Sequence, residues 1–287
     1  QHRLDTGGLG RLPRQGVLAP AAADQQGAPL EVLETVEAGV GMTDQDLRIL
    51  LEDRGDGEEG LTKRCIMREV RHAFVETRGF PTHVAEAGHG APLFLLHGWP
   101  EFWATWEPMF ERLSDRFRLI APDFRGFGES GNPTPGPSDQ AGPDVLADDI
   151  VALLDRLGIA KAGFVGHDVG AFVMQRLAIR HPDRVAGLFF FNCGTHGVGA
   201  RWRDSAQINE IWYQTFHQMP FAPAIVGASR DSCRAYFRHF LTHWCHRKDA
   251  FDPVLERWVD NFMRPGNLQG GFNWYISQNA GRLAVMA

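Results

Sequence analysis

Ala162-Gly163-Phe164-Val165-Gly166-His167, followed by Asp168-Val169-Gly170-Ala171-Phe172-Val173, decides how this chain is read. The first six residues form an apolar run of strand length. From Gly170 a helical pattern extends to His181, where Pro182 ends it. At the junction, Gly166-His167-Asp168-Val169-Gly170 fits the Gly-x-nucleophile-x-Gly pattern of a nucleophile elbow, a sharp strand–turn–helix corner. Small residues let the backbone turn tightly and hold the central side chain above the sheet. Here that side chain is a carboxylate. A serine in this place needs a base to remove its proton. An aspartate is already anionic near neutral pH and displaces directly at saturated carbon, forming an ester. Water must then cleave the ester, which takes a general base, normally histidine, and an oxyanion hole.

Upstream of the elbow, Arg71 to Thr77 and Phe80 to Ala87 read as strands joined by a turn at Arg78-Gly79. Pro92 to Leu96 is a short apolar strand ending in His97-Gly98-Trp99-Pro100. Glu101 to Asp115 places Phe102, Trp106, Phe110 and Leu113 on one helical face. Phe117 to Pro122 is the next strand, running into Asp123-Phe124-Arg125-Gly126-Phe127-Gly128. Asp144 to Leu157 is a helix with Gly158 at its C-terminal cap. Downstream, Val185 to Asn192 is apolar throughout and is expected to be a central parallel strand. Strands alternating with helices predict an α/β fold with a doubly wound, mostly parallel sheet. Residues 194–280, rich in Trp, Phe, His and Arg, predict a helical insertion.

The expected organisation is therefore an N-terminal extension over 1–64, poorly ordered or foreign to the fold, with one helical pattern at Thr43 to Arg54. A core follows over 65–193, a helical cap over 194–280 and a return to the core over 281–287. Apolar residues make up 44% and charged residues 22% of the 287, the balance of an ordinary globular protein. The net charge of −6 and the lack of a Lys/Arg block argue against nucleic acid as partner. No run of about 18 apolar residues predicts a membrane span. The opening residues lack the pattern of a secretory leader. Cys65, Cys193, Cys233 and Cys245 form no Cys-x-x-Cys pair, and free thiols in a reducing cytoplasm are expected.

The backbone N–H groups of Val169, just after Asp168, and of Trp99, after the earlier strand, are the candidate oxyanion hole. His97 is expected to position that loop and to border the substrate rather than act as base, because elbow enzymes take their base from late in the chain. His239, His243 and His246 fall at i, i+4 and i+7, a spacing that suits zinc on a helix. No glutamate follows His239, and Phe240 and Trp244 point instead to a packed helix, so no metal and no cofactor are expected.

From about residue 71 to 280 the chain resembles the epoxide hydrolase branch of the α/β-hydrolases. The resemblance rests on His97-Gly98-Trp99-Pro100, Asp123-Phe124-Arg125-Gly126-Phe127-Gly128-Glu129-Ser130, Gly166-His167-Asp168-Val169-Gly170 and Asn273-Trp274-Tyr275. It implies an α/β-hydrolase fold with a helical cap and a small apolar epoxide or related electrophile as partner. Opening an epoxide yields an alkoxide that needs a proton, and the resemblance implies two cap tyrosines as donors. Tyr275 matches one, with Trp274 beside it expected to border the substrate. Tyr213, in Tyr213-Gln214-Thr215-Phe216-His217-Gln218-Met219-Pro220, matches the other. A phenol of pKa about 10 keeps its proton at neutral pH yet donates a strong hydrogen bond.

Haloalkane dehalogenases typically carry Trp after the nucleophile and Asn after His-Gly, where this chain has Val169 and Trp99. Fluoroacetate dehalogenases place arginines just after the nucleophile, where Val169 and Phe172 stand. Val169 also departs from the Trp common at that place in epoxide hydrolases. A haloalkane or haloacid dehalogenase-like hydrolase is the alternative enzyme reading. A non-catalytic binder of small ligands on the same fold is the alternative from another class.

In the family, the catalytic histidine and its supporting acid come from loops after the last two core strands. The chain opens on Gln1 and reaches Ala287 with helical residues and no stop signal, so missing sequence upstream and truncation after the cap are expected. Asn192 cannot serve as the acid, and His196 is the nearby substitute for the base. The expected behaviour is alkylation at Asp168 without turnover.

Overall fold

Leu93 to Leu96 pair with Gly163 to Gly166 in parallel register, and this pairing sets the centre of the molecule. In the computed structural model, residues 69–131, 141–193 and 209–286 are described. The N-terminal extension, its helical pattern at 43–54, Cys65 and His196 lie outside the described residues.

Six strands form one sheet: β1 (Arg71–Thr77), β2 (Phe80–Gly88), β3 (Ala91–Leu96), β4 (Phe117–Pro122), β5 (Ala162–His167) and β6 (Val185–Phe191). Their order is β1-β2-β4-β3-β5-β6. The hairpin β1–β2 and the β2–β4 pair are antiparallel, and β4-β3-β5-β6 are parallel. From β3 the chain goes first to β4 on one side and later to β5 on the other. That reversal is a topological switch point, and it opens a crevice at the carboxyl ends of β3 and β5.

The inner strands β2 to β5 are largely buried, with α1 (Glu107–Leu113), α2 (Pro143–Arg156) and α3 (Val169–Arg180) packed against the sheet. Leu146, Ile150, Leu153 and Leu154 of α2 and Val173, Met174 and Leu177 of α3 join Phe94, Phe164, Leu119 and Ile120 in the core. The expected helix from Glu101 is split. A 3-10 turn spans Trp103–Trp106, and α1 begins only at Glu107. Pro108 explains the break, since proline fits the first turn of a helix and not its interior.

β6 runs parallel to β5. Among the described residues it pairs only with β5, and Phe190 and Phe191 are 36% and 41% exposed.

Beyond residue 208 the described chain is helical: α4 (Trp212–Phe216), α5 (Ala222–Val226), α6 (Arg230–His243), α7 (Leu255–Met263) and α8 (Asn267–Met286). α8 runs through 281 without a break, so no separate segment begins there. Ser229 caps α6 by accepting the Ser232 N–H at 3.0 Å. Phe237 of α6 stacks on Phe262 of α7 with centroids 3.9 Å apart. His239 and His243 stack on α6, and His243 pairs with Glu210 at 2.8 Å. His246 lies past the end of α6, so the three histidines do not share one helix face.

These helices are fastened to the loop after β4. Asp123, fully buried, accepts the N–H groups of Trp103 (2.7 Å) and Glu129 (3.0 Å) and pairs with the His83 ring at 2.7 Å. That hub fixes the loop. Asn267 Nδ2 then donates to Gly128 O at 2.8 Å. Gly270 of α8 lies so close to Gly126 that a Cβ there would sit 2.1 Å from the Gly126 oxygen. Arg257 of α7 grips both Glu107 oxygens at 2.7 and 2.8 Å, with its guanidinium over the Trp103 ring. No helix among the described residues is long and apolar enough to cross a membrane.

Candidate active site

Because Leu96 pairs with Gly166, the residues two places further on, Gly98 and Asp168, meet above the sheet. A Cβ at Gly98 would lie 2.6 Å from the Asp168 Cβ, and one at Gly170 would lie 2.2 Å from the Leu96 oxygen. Glycine at these positions is what allows the two chain segments to touch. Asp168 itself has φ 49° and ψ −118°, a conformation that disfavours any side chain. The turn into α3 imposes it.

The Asp168 carboxylate is held by main-chain donors. Trp99 N–H donates to Oδ1 at 2.9 Å, and the Val169 N–H also bonds to the carboxylate. Burial raises the Asp168 pKa above the usual carboxylate value, against the pull of the Trp99 N–H, the neighbouring His167 and the Val169 N–H. Thus the two amides expected to form the oxyanion hole converge on this side chain.

Beside the aspartate lies an ion pair absent from the sequence reading. His167 Nε2 is 2.5 Å from Glu101 Oε2, with both side chains largely buried. Burial alone would lower the His167 pKa, but the Glu101 carboxylate reverses the shift, and the net change is upward. Burial likewise opposes ionisation of Glu101, and His167 overcomes it, so that pKa is lowered. Both shifts favour the charged forms of the pair, which lies beside Asp168.

His97 is corrected from substrate contact to scaffold. It is fully buried, its Nδ1–H donates to Gly98 O at 2.9 Å, and its Nε2 accepts the Phe124 N–H at 3.1 Å. Both nitrogens are used by backbone, and burial keeps its pKa low. It ties the Trp99 loop to the loop after β4 and has no free edge for a ligand.

Trp99 forms the floor of an aromatic enclosure. Tyr213 from α4 stacks on its ring at 5.4 Å and 6°. Tyr275 from α8 meets it edge-on at 5.6 Å. The two tyrosines lie 5.6 Å apart and share a hydrogen bond. Burial drives the Tyr275 pKa well above that of an ordinary phenol, and Tyr213 and Asp168 add to the shift. The two tyrosines are thus brought together by helices far apart in the chain, with Tyr275 close enough to Asp168 to feel its charge. Trp274 is buried 6.1 Å from the Phe172 ring, on the first turn of α3. His217 and Tyr236 also enter the enclosure and were missed, since nothing in their local pattern sets them apart from packing residues. Among the described residues, no His, Cys, Asp and Glu side chains group to hold a metal ion.

Residues 91–280 match the family model described as alpha/beta hydrolase fold. The soluble epoxide hydrolase of Corynebacterium sp. (strain C12) is 31% identical over 216 residues, 73% of each chain. Human epoxide hydrolase 4 is 32% identical over 215 residues, 71% of this chain but 58% of that longer one. Among solved structures, epoxide hydrolase CorEH without ligand superposes with a TM-score of 0.65 at 29% identity, covering 73% of this chain and 74% of the other.

Proposed function

From its membership of the α/β-hydrolase family as an epoxide hydrolase-like enzyme, we propose that this chain opens epoxides by attack of Asp168 on a ring carbon. The observation that carries the proposal is the Asp168 carboxylate, held at 2.9 Å by the Trp99 N–H beneath two buried tyrosines. A carboxylate oxygen forms the new C–O bond as the ring C–O bond breaks. The departing oxygen takes a proton from Tyr275 or Tyr213, which hold theirs at neutral pH and surrender it to the stronger base, an alkoxide. The product is a hydroxyalkyl ester of Asp168. In its hydrolysis the amides of Trp99 and Val169 would hold the oxyanion.

Ester cleavage also needs a base. Among the described residues near the ester, His97 is committed to the backbone and His167 to Glu101. The described residues therefore provide for the first step, and the proposal is that alkylation proceeds there without turnover.

Intact-mass spectrometry after incubation with styrene oxide tests it. One adduct on the peptide containing Asp168 is expected, and none with Asp168→Asn. An adduct retained by D168N would refute the assignment. Sustained diol formation would refute the absence of turnover.

A further inference from the structure

One ring in the enclosure is an imidazole. His217 stands just past the end of α4 and is 1% exposed. It lies flat on Phe272 (centroids 4.0 Å, 14°) and meets Trp99 at 4.5 Å and Tyr275 at 4.6 Å. Trp99 therefore bridges two groups: its N–H holds the Asp168 carboxylate, and its indole touches His217.

The two imidazole nitrogens differ. Nε2 is 2.7 Å from Tyr236 Oη on α6. Nδ1 is buried and has no partner. Burial pushes the His217 pKa down to about 2, so the ring is neutral and carries one proton. A phenol donates hydrogen bonds better than it accepts them, and a neutral imidazole offers one lone pair. With Tyr236 O–H assigned as the donor to Nε2, the ring proton is on Nδ1. Buried N–H groups without a partner call for an explanation, and in this enclosure His217 Nδ1 shares that state with the Trp99 indole N–H.

We propose that His217 is a specificity residue of this cleft, and that its Nδ1–H donates to a neutral acceptor on the substrate, such as the ether or ester oxygen of a glycidyl compound. The inference rests on the reading of Asp168 as the nucleophile. A neutral acceptor fits because the donor is uncharged, the walls are aromatic and the nearby Asp168 repels a carboxylate. Tyr236 is a positioning residue that fixes the tautomer through Nε2.

The test compares Asp168 alkylation rates, by intact mass, for benzyl glycidyl ether and its all-carbon analogue 5-phenyl-1,2-epoxypentane. The ratio of the two rates within each variant is the readout, so any loss common to both cancels. In His217→Phe the ether-to-carbon ratio should fall about tenfold from that of the unmodified chain, the equivalent of about 1.4 kcal/mol. In Tyr236→Phe, which frees the tautomer without touching the histidine, it should fall partway. Equal ratios in all three proteins would overturn the proposal. A second measurement does not depend on reaction at Asp168. In the Asp168→Asn chain, the 15N signals of His217 should report a proton on Nδ1 and move on addition of benzyl methyl ether. A proton on Nε2, or no response to the ether, would also overturn it. Absence of any adduct on the unmodified chain counts against the nucleophile reading instead, and the 15N result then decides the role of His217.

Discussion

Replacing Gly270 by alanine sets helix propensity against a backbone contact. In the interior of α8, alanine is preferred over glycine by about 1 kcal/mol. The new Cβ would however lie 2.1 Å from the Gly126 oxygen and 2.6 Å from its Cα, where ordinary contact begins at 3.4 Å. The obstructing atoms are backbone, so no rotamer change relieves them, and α8 must retreat by over 1 Å. Overpacking of this kind costs about 1–3 kcal/mol. The net expectation is a loss of about 0–2 kcal/mol, or a Tm lower by up to roughly 8 °C for a chain of this size. The effect on chemistry should be larger. Tyr275 lies five residues further along the same helix, and misplacement of a reacting group by 1 Å is worth roughly 100-fold in rate. Alkylation by styrene oxide should thus slow by about 10- to 100-fold, read by intact mass alongside urea unfolding. Gly271→Ala serves as a control, because its Cβ would meet side chains and no backbone, Trp99 at 3.3 Å and Phe127 at 3.7 Å. A G270A chain as stable as its parent and alkylated at the parental rate would refute the idea that this glycine contact seats the tyrosine.

Glu101→Gln should lower the His167 titration midpoint, followed by NMR of the ring Cε1–H, to below its ordinary 6.5. The folded His167 pKa is raised, so its contribution to stability is complete below 6.5 and fades as pH rises through the folded value; that of Glu101, whose pKa is lowered, is present above 4.5 and fades as pH falls through its folded value. The variant should lose more stability at pH 6 than at pH 9, by up to roughly 3 kcal/mol for a buried pair, and an unchanged midpoint would reject the pairing. His97→Ala leaves the Phe124 N–H and Gly98 O without partners, so urea unfolding should show a loss of about 2–4 kcal/mol; a variant of full stability that binds substrate poorly would restore His97 to the substrate wall. Tyr275→Phe should slow alkylation of Asp168 by roughly 100-fold, with Tyr213→Phe compounding it, and equal rates for parent and double variant would remove the tyrosines from the reaction.

Much of the core was legible because its signals are local. β1, β4 and β5 have the bounds that their apolar runs and flanking turns suggest. The elbow was legible because Gly166, Asp168 and Gly170 lie within five residues. What failed depended on neighbours distant in the chain. His97 was read as positioning its loop, but its second tie was not legible, because the Phe124 N–H that its outer nitrogen accepts lies 27 residues further on. Glu101, His217 and Tyr236 each became notable only through a partner, at separations of 66 residues for His167–Glu101 and 19 for His217–Tyr236. Pro108, by contrast, was a plain local signal for the late start of α1.

The positive φ of Asp168 bears on any effort to make this protein hardier. At φ 49° and ψ −118° a Cβ is unwelcome and glycine is relaxed. Such a conformation holds on the order of 1–3 kcal/mol of strain. Glycine at 168 would release that strain and remove a partly buried carboxylate at the same time. A library ranked by heat tolerance alone would therefore enrich for loss of the reactive group, and its best survivors would be inert. Selection for robustness at this corner has to be coupled to a chemical readout, because here the fold and the reaction favour different residues.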